Sequence, residues 1–218
     1  MKEKETQPKI LPTALVRRLP AYYRNICAME AEGKTSTTSR ELADRIGNTS
    51  AQVRQDFFTC GGVPGYSLPL LKSWLSGLIG LEKQHRMVVV GAGNLGRAII
   101  SFREFNEDGF FIDAVFDNNL MYNGMQICGV PILNASLFTE YLEKNPVDIV
   151  VIAAPATAAP EIFEKAVACG IKGIWNFAPV DLSSDGDVSI QNVHLSDTLM
   201  MLSFRMEESL RLSEKEEE

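Results

Sequence analysis

Residues Gly91-Ala92-Gly93-Asn94-Leu95-Gly96 read G-x-G-x-x-G, directly after the apolar run Met87–Val90 and at the start of a helical pattern. Between a strand and a helix, that spacing suits a dinucleotide. Gly91 makes the tight turn, Gly93 lets a pyrophosphate approach the backbone, and Gly96 lets helix and strand pack closely. Around Ala92, Asn94 and Leu95 the helix start offers N–H groups and a positive dipole to phosphates. Asp117 ends the next strand pattern, 21 residues after Gly96. Its carboxylate can accept hydrogen bonds from ribose hydroxyls and would repel a 2′-phosphate, and its neighbours Phe116, Asn118 and Asn119 include no arginine. The expected ligand is NAD(H) rather than NADP(H).

A catalytic set does not accompany this site. The chain has no Tyr-x-x-x-Lys pair, and Tyr141 and Lys144 have the wrong spacing. His194, the only histidine after residue 86, reads as a solvated or hydrogen-bonded imidazole at a strand end. Cys169 has no histidine nearby in sequence and reads as a structural thiol. The four cysteines form no CxxC pair and there are only two histidines, so neither a metal site nor a disulfide framework is expected. A cofactor site without catalytic residues suggests a sensor, not an enzyme.

A second chemistry lies upstream. Thr38-Ser39-Arg40-Glu41 and Thr49-Ser50-Ala51-Gln52 each fit a capping box, with Gly47-Asn48 as the turn between two short helices. Leu42, Ala43 and Ile46 give the first helix its apolar face, and Val53 and Phe57 share a face of the second. Ala51, Gln52 and Gln55 then point outward with Arg54 at the flank. This is the outline of a helix-turn-helix. Arg54 could meet a base edge or a phosphate, and Gln52 or Gln55 could read adenine. Residues 1–80 hold eleven Lys/Arg against seven Asp/Glu, whereas residues 81–218 hold ten against twenty-one, which fits a polyanion contact confined to one end.

The elements that must position these residues follow from periodicity. A helix is expected over Leu15–Glu32, with Pro20 as a kink or first-turn residue and Gly33 as its stop. Residues 60–66 form a glycine-rich loop. Pro69–Ile79 reads as a helix with Leu70, Leu71, Trp74, Leu75 and Leu78 on its apolar face. The predicted domains are residues 1–80, a linker over 81–86, a nucleotide domain over 87–195, and a terminal helix with an acidic tail over 196–218. Strands are expected at Met87–Val90, Phe110–Phe116, Asp148–Ala153, Gly173–Phe177 and Val188–Val193. Helices are expected at Leu95–Phe105, Ala135–Lys144 and Glu161–Cys169. Apolar strands alternating with helices predict a parallel sheet covered on both faces. Asp197–Leu212 reads as an amphipathic helix with Leu199, Leu202, Met206 and Leu210 along one stripe. The opening residues 1–9 and Glu214–Glu218 read as charged tails.

The 218 residues are enough for two modest domains, and 45% apolar against 22% charged residues is an ordinary globular composition. The charged N-terminus and the short longest apolar run, Ile149–Ala159, predict neither a signal peptide nor a membrane span. A soluble, cytoplasmic protein is expected.

Taken in order, the motifs resemble the Rex family of redox-sensing transcriptional repressors. Arg18-Leu19-Pro20-x-Tyr22-Tyr23-Arg24 is similar to its opening helix. Ser39-x-Glu41-Leu42-Ala43 and Thr49-Ser50-Ala51-Gln52-Val53-Arg54-x-Asp56 are similar to its DNA-binding helices. Val90–Gly96 and Gly170–Val180, with Asn176-Phe177-Ala178-Pro179, resemble its nucleotide domain. The resemblance implies an α/β chain: a winged helix-turn-helix domain, a Rossmann-like doubly wound parallel sheet, and a C-terminal helix swapped between the subunits of a homodimer. It implies repression by binding operator DNA, relieved by NADH. The DNA set is then Ser50, Ala51, Gln52, Arg54 and Gln55, the nicotinamide lies near Asn176 and Phe177, and Arg24, Phe102 and His194 occupy the coupling positions.

Four residues or segments depart from the family pattern. The loop after the second helix is short and carries no Lys or Arg, and Gln55 stands where a lysine is usual. Phe102 replaces a frequent tyrosine, and His194 stands where an aspartate is common. A divergent member or paralogue would carry such changes. Two rival readings of the same residues stand beside it: a small NAD-dependent oxidoreductase whose N-terminal helices only dimerise, and a nucleotide-binding regulatory subunit that has lost DNA affinity.

Overall fold

The computed structural model describes residues 11–63 and 65–216. The opening residues 1–9, Pro64 of the glycine-rich loop, the last two residues of the acidic tail, and the side chains of Leu210 and residues 212–216 lie outside that description. The chain divides into two compact units, residues 1–83 and 84–218.

The first unit is helical. A single turn, α1 (Thr13–Val16), leads into α2 (Leu19–Ala31). Pro20 sits in the first turn of α2, where its missing N–H is no loss. Leu19, Tyr22, Ile26 and Met29 recur on one face and are buried. Gly33, at φ +82°, ends the helix as Lys34 N–H bonds Met29 O. Next come α3 (Ser39–Ile46), α4 (Ser50–Thr59) and α5 (Leu68–Ile79). Gly47, left-handed at φ +68°, makes the turn between α3 and α4. Phe57 of α4 joins the elements, edge-on to Tyr22 at 5.2 Å and to Trp74 at 5.4 Å. The core face of α5 is Leu68, Leu71 and Leu75; Leu70, expected there, is half exposed because it falls outside that three- and four-residue spacing. The chain after the glycine-rich loop returns beside the segment before α3: Thr37 N–H bonds Tyr66 O and Leu68 N–H bonds Thr35 O. With the single Ser36–Ser67 bridge, this is a minimal wing.

The second unit is a seven-stranded sheet, ordered β3-β4-β2-β1-β5-β6-β7. Its strands are β1 (His85–Val90), β2 (Phe110–Asp117), β3 (Gln126–Ile127), β4 (Val130–Asn134), β5 (Ile149–Ile152), β6 (Gly173–Asn176) and β7 (Ser189–Asn192). All pairs are parallel except β3 with β4. β1 starts two residues inside the stretch expected to be linker. Along β1, Val88 and Val90 face one core while Met87 and Val89 face the other. The first core is covered by α8 (Phe138–Lys144) and α9 (Ala159–Ala168), and the second by α6 (Asn94–Ser101) and α7 (Glu104–Glu107).

Two expectations need correction here. The helix expected over Leu95–Phe105 breaks at Phe102, which is extended at ψ 102°. Ser101 Oγ donates to Arg97 O at 2.8 Å, the back-bonding that bends helices. The β3–β4 hairpin was not expected at all. Its two-residue turn, Cys128-Gly129, has both φ angles positive, and cysteine gives no signal for such a turn.

The last helix, α10, runs Leu195–Glu216. It extends past the expected bounds at both ends. Leu195, Leu199, Met200, Met201, Leu202, Phe204 and Met206 are all more than half exposed on it. Among the described residues, no helix is long and apolar enough to cross a membrane.

Candidate functional site

The strand order reverses between β1 and β5, where an open sheet leaves a crevice beyond its strand ends. A cleft of about 870 Å³ lies there, lined by Gly91, Gly93, Asn94, Leu95, Asp117 and Phe177 among others. Gly91 has φ +111°, and a Cβ on it would fall 2.4 Å from Ala153 O. A Cβ on buried Gly96 would fall 1.9 Å from Gly91 O, so helix and turn touch through backbone. Gly93 caps α6 with open space where a side chain would stand. Of the three glycines of the turn, only Gly93 leaves open space beside its backbone for a ligand.

Asp117 fixes this turn. Its Oδ2 accepts Ala92 N–H at 2.6 Å and its Oδ1 accepts Asn119 N–H at 2.8 Å. That corrects the expectation for Ala92: it is fully buried, and its N–H is committed to Asp117 rather than to a phosphate. Arg97 donates to Ala92 O at 2.8 Å and lies over the Tyr122 ring at 4.7 Å, tying α6 to the cleft wall that Tyr122 forms. Asn176 also needs correction. It is fully buried, its Nδ2 donates to Val180 O and Asn192 Oδ1, and its Oδ1 accepts Ala178 N–H. Its amide braces the following loop against β7, while Phe177, packed on Trp175 at 4.6 Å, faces the cleft.

In the helix-turn-helix, Thr38 Oγ1 accepts Glu41 N–H and Thr49 Oγ1 accepts Gln52 N–H, both at 3.1 Å. The reciprocal halves of the two boxes do not form. Glu41 instead accepts from Lys34 and Thr37, and the Gln52 amide donates to Asp56 Oδ1 at 2.7 Å. Ala51, Arg54 and Gln55 are exposed, and Ser50 and Gln52 are half-buried. Arg54 bonds Ser39 Oγ at 3.3 Å.

Asp56 is the residue that sequence reasoning passed over. It is buried, and it accepts Arg18 Nε at 2.7 Å, Arg18 Nη2 at 2.8 Å and Tyr22 OH at 2.7 Å besides Gln52. Burial pushes its carboxyl up, but the bonds from Arg18, Tyr22 and Gln52 outweigh this and hold it below the ordinary range. Burial and the neighbouring carboxylate raise the Tyr22 hydroxyl. The signal was available: a carboxylate inside the buried Val53–Phe57 face needs a cationic partner.

Comparison with known proteins assigns both units. The family model described as "CoA binding domain" matches residues 82–180, and "Putative DNA-binding protein N-terminus" matches residues 10–57. A redox-sensing transcriptional repressor Rex of Clostridium botulinum is 38% identical over 198 residues, covering 89% of this chain and 94% of the relative. One from Thermoanaerobacter sp. (strain X514) is 36% identical over 203 residues, 91% of each. The chain belongs to the Rex family. A solved Rex-family repressor, RSP, has this fold in complex with β-NADH (TM-score 0.88, 35% identity, 94% of this chain and 99% of that one). RSP with β-NAD+ and operator DNA is equally similar (TM-score 0.86, 34% identity, 96% and 99%).

The three positions to which the resemblance gives a coupling role can now be placed. Arg24 is exposed on α2. Phe102 is 56% exposed where α6 ends and stacks on Phe105 at 5.6 Å. His194 directly precedes α10, its Nε2 2.8 Å from Asp181 Oδ1, and that carboxylate raises its pKa above the usual 6.5. The pair favours the folded state below the ordinary histidine value, and the effect is lost as pH rises through the raised one. Asp181→Asn should lower the His194 midpoint in a pH-titrated NMR spectrum of the ring protons. An unmoved midpoint would separate the two groups in solution.

Proposed function

We propose that this chain is a homodimeric repressor that binds operator DNA through α4, binds NAD(H) in the β1/β5 cleft, and leaves DNA when NADH occupies that cleft. The observation that carries this reading is the full-length likeness to RSP, together with an open cleft at the glycine turn. In the nucleotide site, Gly91 and Gly96 shape the turn, while Gly93, Asn94 and Leu95 offer backbone N–H groups to the pyrophosphate. Asp117 accepts the ribose hydroxyls on its remaining lone pairs. Phe177 flanks the nicotinamide, and Asn176 holds Phe177 in place from behind. On DNA, Arg54, Gln52 and Gln55 reach bases or phosphates, with Ser50 and Ala51 at the helix start against the backbone. The apolar residues exposed on α10 favour its exchange with a partner subunit, since so much uncovered apolar surface is uncommon on a monomer. Arg24, Phe102 and His194 then carry the nicotinamide state to the DNA-binding unit. Regulation, rather than turnover, is the role this arrangement fits.

Adenosine and pyrophosphate are common to NADH and NAD+, so redox discrimination must arise at the ring. DNA binding titrated with each nucleotide at fixed salt tests the function. NADH should weaken binding about 5- to 150-fold relative to NAD+, the usual size of such couplings. Equal affinity with both would mean a protein that binds the cofactor without sensing its state. Asp117→Ala should weaken NADH binding and narrow its preference over NADPH, because the variant loses both the ribose acceptor and the tie to Ala92. Equal affinity of the unaltered chain for both cofactors would remove Asp117 from that role.

A further inference from the structure

A glutamine reads adenine by accepting from the N6 amino group and donating to N7, with both amide atoms in the plane of the base. A solvated glutamine does not hold that orientation, and its oxygen and nitrogen can exchange places. Gln52 is different. Its Nε2 donates to Asp56 Oδ1 at 2.7 Å, one helical turn along α4. That carboxylate is itself immobile: Arg18 grips both its oxygens, Tyr22 bonds Oδ2, and the side chain is buried. A carboxylate only accepts, so it fixes which end of the amide is nitrogen. It engages one N–H and leaves the other N–H and Oε1 for a base. Gln55 differs: its Nε2 meets the neutral Thr59 Oγ1 at 3.4 Å rather than a buried carboxylate.

We infer that Asp56 is a specificity-determining residue: gripped through both oxygens by Arg18, it holds the Gln52 amide as a fixed donor–acceptor pair, and this makes the chain demand adenine at one position of its DNA site. The inference rests on the proposed DNA-binding role of α4. Asp56 acts through Gln52 and is a positioning residue, not a DNA contact. The same carboxylate ties α2 to α4, so orientation of the helix and orientation of the reading group share one anchor.

The test is selection of duplexes from a randomised pool by the full chain, repeated with Gln52→Ala, Asp56→Asn, Tyr22→Phe and the Gln52→Ala/Asp56→Asn double variant. The unaltered chain should enrich a sequence with adenine required at one position. Gln52→Ala and Asp56→Asn should each reduce that preference about tenfold at the same position, and the double variant should lose no more than either. Tyr22→Phe, which leaves Oδ1 and Gln52 untouched, should keep the preference. A purely structural Asp56 would instead weaken all sequences uniformly and add its loss to that of Gln52→Ala; that result overturns the inference while leaving DNA binding intact. Enrichment of no sequence by the unaltered chain overturns the repressor reading and this inference together. If Asp56→Asn does not fold, side-chain amide NMR of the unaltered chain decides. One Gln52 Nε2 proton should be shifted and protected from exchange, and two solvent-like protons would overturn the inference.

Discussion

Gly96→Ala should destabilise the nucleotide unit by about 3 kcal/mol and abolish NADH binding. Local physics points the other way, since alanine in a helix is favoured over glycine by about 1 kcal/mol. The tertiary contact decides the sign. The new methyl would stand 1.9 Å from Gly91 O, and Gly91 cannot retreat because its own Cβ position faces Ala153 O at 2.4 Å. Either α6 moves off β1 or the turn opens, and both distort the backbone that faces the pyrophosphate. Thermal unfolding and NADH titration measure the two effects. A rise in stability would mean that α6 and the turn do not touch.

Asp56→Ala should destabilise the helical unit by about 3–5 kcal/mol, the usual cost of removing one partner from a buried ion pair. Arg18 and Tyr22 would each lose their acceptor, and replacing either oxygen by water is hindered because the side chain is only 3% exposed. Tyr22→Phe removes one bond and should cost about 1.5–3 kcal/mol, the range for a hydrogen bond to a charged group. The native carboxyl titrates below its ordinary value of 3.8. Its stabilisation is therefore complete above that value and lost as pH falls through the lower native one. Acid unfolding monitored on the helical unit should show this loss in the unaltered chain and not in Asp56→Asn. The same acid profile in both would exclude Asp56 as its source.

The elements legible in the sequence were those with strong local signals. Capping threonines at 38 and 49, left-handed glycines at 33 and 47, and the apolar strands β1, β2, β5 and β6 are found within a few residues of where the patterns put them. The glycine turn and Asp117 were legible because each needs a specific residue type at a set spacing. The β3–β4 hairpin was not, since strands of two and five residues carry too little alternation to register. Nor was the break at Phe102, which has no proline or glycine to announce it.

The sequence by itself determined the order of the units, the glycine turn with its acid, and the pair of capped helices, because these depend on residue types a few positions apart. Only the tertiary structure decided which polar groups remain free. Ala92 N–H and the Asn176 amide looked available along the chain and are spent, the first on a carboxylate 25 residues away and the second on the loop before β7 and on Asn192 of β7 itself. Gln52, along the chain an outward-pointing candidate to read adenine, is held by Asp56, whose own partners lie 34 and 38 residues upstream. Burial forces every polar group to find a partner, and the nearest partner in space is set by packing rather than by position in the chain.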